Sequence, residues 1–235
     1  MWAYKQTDEL YHYGIPGMKW GVRRAKKLQS RANIARSSAK EWDEMARYAS
    51  AKGKNKKADK YRENAIKDRA DADKYQRKAN KTVERRYARA GRAAGVAAYN
   101  RDKGDKIYEK HDRNAKVLDK AAKKYESEGS LYKAEAARRS AEALRSRGSN
   151  LRAEQYSIAD HYMRKSNILN TKASTIAKNA NINIGKNKAN SIIKEFENKG
   201  YNTAKENDEY TRENKIRDTL GDDGYAAYNT VRGKR

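Results

Sequence analysis

The scarcity of large apolar side chains constrains this chain more than any other feature. Leu, Ile, Val and Phe together make up 26 of its 235 residues, roughly half the fraction below which disorder is the usual outcome. Fixing the backbone of one residue costs about 1–2 kcal/mol, and a thick core that would offset this cost cannot be assembled from so few bulky residues. The side chains that remain for helix contacts are alanine and seventeen tyrosines. Thin helical layers are therefore the fold the composition allows.

Charge narrows the class further. Lys and Arg number 56 against 31 Asp and Glu, giving a net charge of +25. Such a chain repels itself and calls for polyanionic company, whether nucleic acid, an acidic protein surface or an anionic membrane. The excess is uneven, about +20 over residues 1–150 and about +5 over residues 151–235. The absence of cysteine removes disulfides and thiolate metal sites. No apolar run approaches the ~18 residues of a membrane span, and the first residues lack the basic-then-apolar order of a secretory leader. The chain is expected to work in an interior unless another machine exports it.

The helical pattern begins after residue 24. Leu28, Ala32, Ala35, Ala39, Trp42 and Ala46 recur at steps of three and four, which puts them on one face, and Gly53 is placed to end that helix. Ala58, Tyr61, Ala65, Ala72, Tyr75 and Ala79 form a near-heptad that Asp68 interrupts. Alternating small and large residues suit close helix pairing. Gly91, Gly95 and Gly104 look like punctuation, with a further helix predicted from Asp105 to about Glu126.

A short signature recurs at Gly53, Gly129 and Gly148: glycine, three residues, a basic residue, alanine, then an acid. It reads as a helix stop followed at once by a new start, with Ser130 or Ser149 as cap. The strongest assembly face is predicted on a helix from Leu151 to Ala180, where Ala159, Tyr162, Ser166, Leu169, Ala173, Ile176 and Ala180 keep the three–four rhythm. Of these, Ala159, Tyr162, Leu169, Ala173 and Ile176 are candidates for self-association. The stretch NANINIGKNKAN breaks the pattern. A short helix carrying Ile192, Ile193 and Phe196 is predicted to end near Gly200, ahead of a polar, marginally helical tail.

The first two dozen residues are of another kind. The segment ELYHYGIPGMKWGVRR, Glu9 to Arg24, holds the single proline, one of the three tryptophans (Trp20) and a cluster of glycines. Ile15-Pro16-Gly17-Met18 has the chemistry of a type II turn. Pairing across it would set Tyr13 opposite Trp20, Tyr11 opposite Val22 and His12 opposite Gly21. A lone hairpin is marginal in water, so this element needs a surface, either the protein's own helices or a partner. Tyr11, His12, Tyr13, Gly14, Pro16, Gly17, Met18, Lys19, Trp20 and Gly21 are the candidate docking residues. The aromatics would serve as anchors and the glycines would permit close backbone approach.

The stretch YHYGIPGMKWGVRR resembles a short signature of proteins from tailed-phage and prophage structural gene modules. Its form is His-Tyr-Gly, two residues, Gly-Met-Lys-Trp-Gly, one residue, Arg-Arg. Here it is met by His12, Tyr13, Gly14, Gly17, Met18, Lys19, Trp20, Gly21, Arg23 and Arg24, with Pro16 where lysine is the more usual residue. The resemblance implies a virion or virion-assembly setting, as in minor head or scaffold-like proteins, and no particular activity. It does not extend to residues 25–235.

No catalytic or cofactor pattern is apparent in the sequence. His12, His111 and His161 share no metal-ligand spacing, and no phosphate-binding glycine loop, dinucleotide fingerprint or nucleophile elbow occurs. The chain is expected not to be an enzyme and to need no cofactor or metal. The functional signal that remains is basic. Arg23, Arg24, Lys26, Lys27, Lys52, Lys54, Lys56, Lys57, Arg85, Arg86, Arg89 and Arg92, with the run Lys120–Lys124, offer phosphate contacts, and Tyr87 and Tyr99 are candidates to stack on bases. Without a recognition helix the contact would be to backbone, not sequence.

The sequence thus predicts an elongated all-α protein of helical hairpins, coiled-coil-like, with a short non-helical aromatic–glycine element at the N-terminus. The expected regions are a docking element 1–24, a basic helical region 25–128, a hairpin with the assembly helix 129–181, and a polar C-terminal region 182–235. The expected role is a non-enzymatic phage structural or head-assembly protein, in the head interior or in the host cytoplasm during assembly. Its expected partners are capsid, portal or scaffold proteins and nonspecific nucleic acid, with a homo-oligomer possible. A nonspecific nucleic-acid-binding helical protein outside the particle is the alternative. A membrane-surface role fits poorly, because the faces opposite the basic ones are rich in alanine.

Overall fold

The computed structural model describes residues 20–231. They form four helices, α1 (Trp20–Ala51), α2 (Asn55–Ser127), α3 (Leu131–Asn179) and α4 (Lys186–Val231), and no strand occurs among the described residues. The fold is all-α. The contacts divide it into two compact units. One comprises the chain to Val83 with Ser174–Ile184, and the other comprises Glu84–Ala173 with the chain from Gly185 onward.

The first unit is built on alanine. Ala25, Ala32, Ala39 and Ala46 on α1, and Ala58, Ala65, Ala72 and Ala79 on α2, are each at most 3% exposed. Both series step by seven residues, so each helix carries one flat strip along its length. The partners Gln29–Gln76, Ser38–Asp68 and Ser50–Arg62 run in opposite directions along the chain, which makes the pair antiparallel. Large residues flank the strip: Trp42 stacks on Tyr61 with ring centroids 5.6 Å apart. Asp68, the interruption in the heptad, accepts hydrogen bonds from Ser38 Oγ (2.5 Å) and Trp42 Nε1 (3.1 Å). It is a satisfied polar layer, as a half-buried carboxylate must be. Ile176, Ala180 and Ile182 complete the core of this unit.

Gly53 (φ 71°) and Gly129 (φ 74°) adopt the left-handed conformation predicted for helix ends. In each turn the glycine and the residue after it donate back to the helix: Gly53 to Ser50 and Lys54 to Ala49, then Gly129 to Glu126 and Ser130 to Tyr125. The third expected stop is not one. Gly148 lies inside α3, so Ser149 caps nothing, and Gly91, Gly95 and Gly104 lie inside the 73-residue α2. Gly200 does not end α4, which continues to Val231 past a non-helical Gly221. A Cβ on Gly91, Gly95, Gly104, Gly148 or Gly200 would press on a neighbouring helix, and that close approach is a physical reason for glycine there.

In the second unit α3 runs antiparallel to α2, as the pairs Ser166–Ala90, Arg152–Asp105 and Arg138–Glu126 require. Ala90, eleven residues after Ala79, starts a new seven-residue series on α2 with Ala97 and Gly104, and a second eleven-residue step leads to Ala115 and then Ala122. On α3 the ladder Ala134, Ala141, Gly148 is followed by the same eleven-residue step to Ala159, then Ser166 and Ala173. Such four-residue insertions locally unwind a heptad helix pair. The two face each other, since a Cβ on Gly104 would meet Gln155 Cβ at 3.1 Å and one on Gly148 would meet His111 Cβ at 2.8 Å. At this level the Nδ1 of His111 and the Nε of Arg152 are buried without a protein hydrogen-bond partner. Helix α4 runs parallel to α2, from Lys188–Glu84 to Lys103–Asp208.

Candidate functional site

Of the docking residues, Tyr11, His12, Tyr13, Gly14, Pro16, Gly17, Met18 and Lys19 lie outside the described residues. Trp20 and Gly21 do not form the return strand of a hairpin. They open α1, which also takes in Val22, Arg23 and Arg24. The pairs Tyr13–Trp20, His12–Gly21 and Tyr11–Val22 are therefore not strand pairs, and the helix begins about one turn earlier than its alanine pattern first signals.

The face assigned to self-association is spent inside the protein. Ala159 and Ala173 are fully buried and Ile176 is 4% exposed, while Tyr162 and Leu169 are half-buried. Ser166 Oγ donates to the carbonyl of Ala90 at 2.8 Å. That face packs against α2 and into the chain's own core.

In the first unit the basic residues form two separate groups. Arg24, Lys26 and Lys27 are exposed near the start of α1, while Lys52, Lys54, Lys56 and Lys57 are exposed at the α1–α2 turn. At 1.5 Å per residue the two groups lie about 40 Å apart along the helix. Arg85, Arg89 and Arg92 share one exposed stripe of α2, Arg86 is half-buried, and the Arg92 guanidinium sits 4.9 Å from the Phe196 ring centroid.

The two tyrosines proposed for base stacking are engaged elsewhere. Tyr87 is 7% exposed. Tyr99 packs edge-on against Tyr201 (5.5 Å) and donates its hydroxyl to Asp208 at 2.9 Å. Tyr201 in turn donates to Asp102 at 2.6 Å, Lys106 donates to Asp102 at 2.7 Å, and Lys103 pairs with Asp208. Burial and the Asp208 carboxylate push the Tyr99 phenol well above its ordinary range. Burial would raise Asp208, but the hydrogen bonds from Lys103 and Tyr99 prevail and hold it low. Lys106 and then Tyr201 hold Asp102 low. This α2–α4 network was not read from the sequence, because its members lie about a hundred residues apart. Its position is set by the glycines above it, where Gly91, Gly95 and Gly200 bring the two backbones together.

Some of the cations are matched by carboxylates. Arg69 pairs with Asp43, Arg101 with Asp160, Arg145 with Asp112 and Asp119, Arg152 with Asp105, and Lys188 with Glu84. Asp119 is the first cause that raises Arg145 further. Among the described residues no cluster of three or more His, Asp or Glu side chains could hold a metal ion, and no helix is long and apolar enough to cross a membrane. An open groove in the first unit is lined by Lys26, Gln29, Asn33 and Ser37 of α1 and by Asn179 and Asn181, mostly neutral polar groups.

Comparison with known proteins bears on the N-terminal segment alone. A family of unknown function (DUF7211) matches residues 5–27, the span that contains the aromatic–glycine stretch and the first turns of α1. No curated protein and no solved structure matches the chain.

Proposed function

We propose that the chain is a non-enzymatic structural or assembly protein of a tailed-phage-type particle. Its N-terminal segment docks it to a capsid, portal or scaffold component, and its basic helices contact DNA or an acidic inner shell. The observation that carries this reading is the confinement of the family match to residues 5–27, the segment whose chemistry also differs most from the rest. A short recurrent segment rich in Tyr, Trp, Met and Gly, joined to a long alanine-layered body, suits an address joined to a framework. The charge of +25 supports the polyanion half of the reading.

The test is incorporation. Particles and their precursors, purified from cells expressing the module, should contain the intact chain by mass spectrometry. A variant lacking residues 2–19 keeps all of α1, so it should retain its helicity by circular dichroism and lose incorporation. Absence of the intact chain from both mature particles and precursors rejects the proposal and favours a nucleic-acid-binding protein outside the particle. Loss of helicity on truncation would instead make the segment a cover for the protein's own helices.

A further inference from the structure

We infer that the α1–α2 turn of the first unit is the chain's contact for the phosphate backbone of nucleic acid. This deepens the polyanion half of the proposed function and rests on it.

Four lysines, Lys52, Lys54, Lys56 and Lys57, fall within six residues of this turn, and Lys60 follows one helical turn later; all five are exposed. Gly53, at φ 71°, reverses the chain here, so lysines from the end of α1 and the start of α2 converge on one small tip. The surroundings of a Cβ on Gly53 are open, with nothing within 4 Å. The first turn of α2 holds no acidic residue. The nearest carboxylate along the chain, Asp59, is taken by Arg62 at 2.8 Å.

The first-unit ion pairs Arg62–Asp59, Arg69–Asp43 and Lys74–Asp71 do not involve the four turn lysines. The four turn lysines are therefore not neutralised, and they stand within six residues of one another. Lys52 and Lys57 face rings instead, at 4.3 Å from Tyr48 and 5.8 Å from Tyr61. Tyr48 is 64% exposed, an aromatic surface beside the cations, which is the pairing that nucleic-acid contacts use. Point charges on flexible stems suit phosphates without reading sequence.

The experiment measures affinity of the full chain for a duplex of about 20 base pairs of arbitrary sequence across a series of salt concentrations. Four phosphates neutralised at the turn contribute a log–log salt slope of about −3.6. The variant K52Q/K54Q/K56Q/K57Q should make the slope shallower by about 3 to 4. The variant K40Q/K67Q/K78Q/K81Q removes the same charge from exposed positions elsewhere in the unit and should change it by less than about 1. Equal losses from both variants, or no duplex binding by the parent at low salt, overturn the inference. So does tight binding of polyglutamate by a chain that ignores the duplex, which would make the turn a contact for an acidic protein. Incorporation of the turn variant into particles is scored separately. A chain that is incorporated but blind to DNA fails this inference alone, and one that binds DNA at the turn but never enters particles fails the proposed function alone.

Discussion

A Cβ placed on Gly95 would lie 2.0 Å from the carbonyl oxygen of Glu197, so at this level α2 and α4 touch backbone to backbone. The same contact recurs at Gly91 against the carbonyl of Ile193 (2.3 Å) and at Gly200 against that of Arg92 (2.3 Å). Three glycines on two helices make one seam, and the tyrosine–aspartate network continues from it.

The first prediction follows from that seam. Gly95→Ala should gain about 1 kcal/mol of helix propensity, but a methyl group cannot share space with a backbone carbonyl. Forcing the helices apart should cost more than the ordinary overpacking penalty of about 1–3 kcal/mol. The net expectation is a loss of about 2 kcal/mol or more in urea unfolding. Gly53→Ala, by contrast, meets open space and only a left-handed backbone, and should lose about 1 kcal/mol. Equal effects at the two sites would mean that the seam is looser than described.

These glycines also mark the limit of what could be read from the sequence. Gly53 and Gly129 were legible as helix ends because each follows a run of helical periodicity and precedes a new one. Gly148 carries the same local signature, yet it sits seven residues beyond Ala141 and fourteen beyond Ala134. That ladder was the signal that it packs rather than stops. Gly91 and Gly95 are four residues apart among alanines, a spacing suited to helix contact, but the partner Gly200 is more than a hundred residues away and no local rule reaches it. The cations were legible by type. Which of them are neutralised depends on tertiary pairing such as Arg152–Asp105, and that was not.

The second prediction concerns the alanine strip. Ala65 is fully buried and its neighbour Ile66 is 62% exposed. Ala65→Leu inserts a branched side chain between α1 and α2 and should destabilise by about 1–3 kcal/mol. Ile66→Ala, at a solvated position, should stay within about 0.5 kcal/mol of the parent. An apolar substitution that hurts beside an apolar deletion that does not would locate the strip at one-residue resolution. The opposite ranking would mean that the face is wrongly assigned.

A third prediction concerns pH. The Tyr99 phenol is raised above its ordinary value of 10.0, so the stability it contributes is complete below about pH 10 and is lost as pH climbs toward the folded-state value. Asp208 and Asp102 are held below their ordinary value of 3.8. Their contribution is present above that value and is lost as pH falls through the lowered one. Stability should therefore be flat between these limits and fall on both sides. Tyr99→Phe removes the phenol and should flatten the alkaline limb, and Asp208→Asn should flatten the acid limb. Thermal unfolding across pH checks both, and a variant with limbs as steep as the parent's would remove its residue from the account.

The last prediction turns on which electrostatic term dominates. The ion pairs on the helix faces are largely exposed, as at Arg139–Glu135, where the side chains are 78% and 61% accessible, and such pairs are worth about 0–1 kcal/mol each. Salt weakens them, which by itself would lower Tm. A net charge of +25 repels itself over longer distances, and salt screens that as well, which raises Tm. The unpaired lysines of the α1–α2 turn add to repulsion without adding to any pair. Tm should therefore rise as salt is increased from low ionic strength to a few tenths molar, and the rise should be smaller in K52Q/K54Q/K56Q/K57Q. A Tm that falls with salt in the parent would mean that the ion pairs, not the surplus charge, govern the stability of this chain.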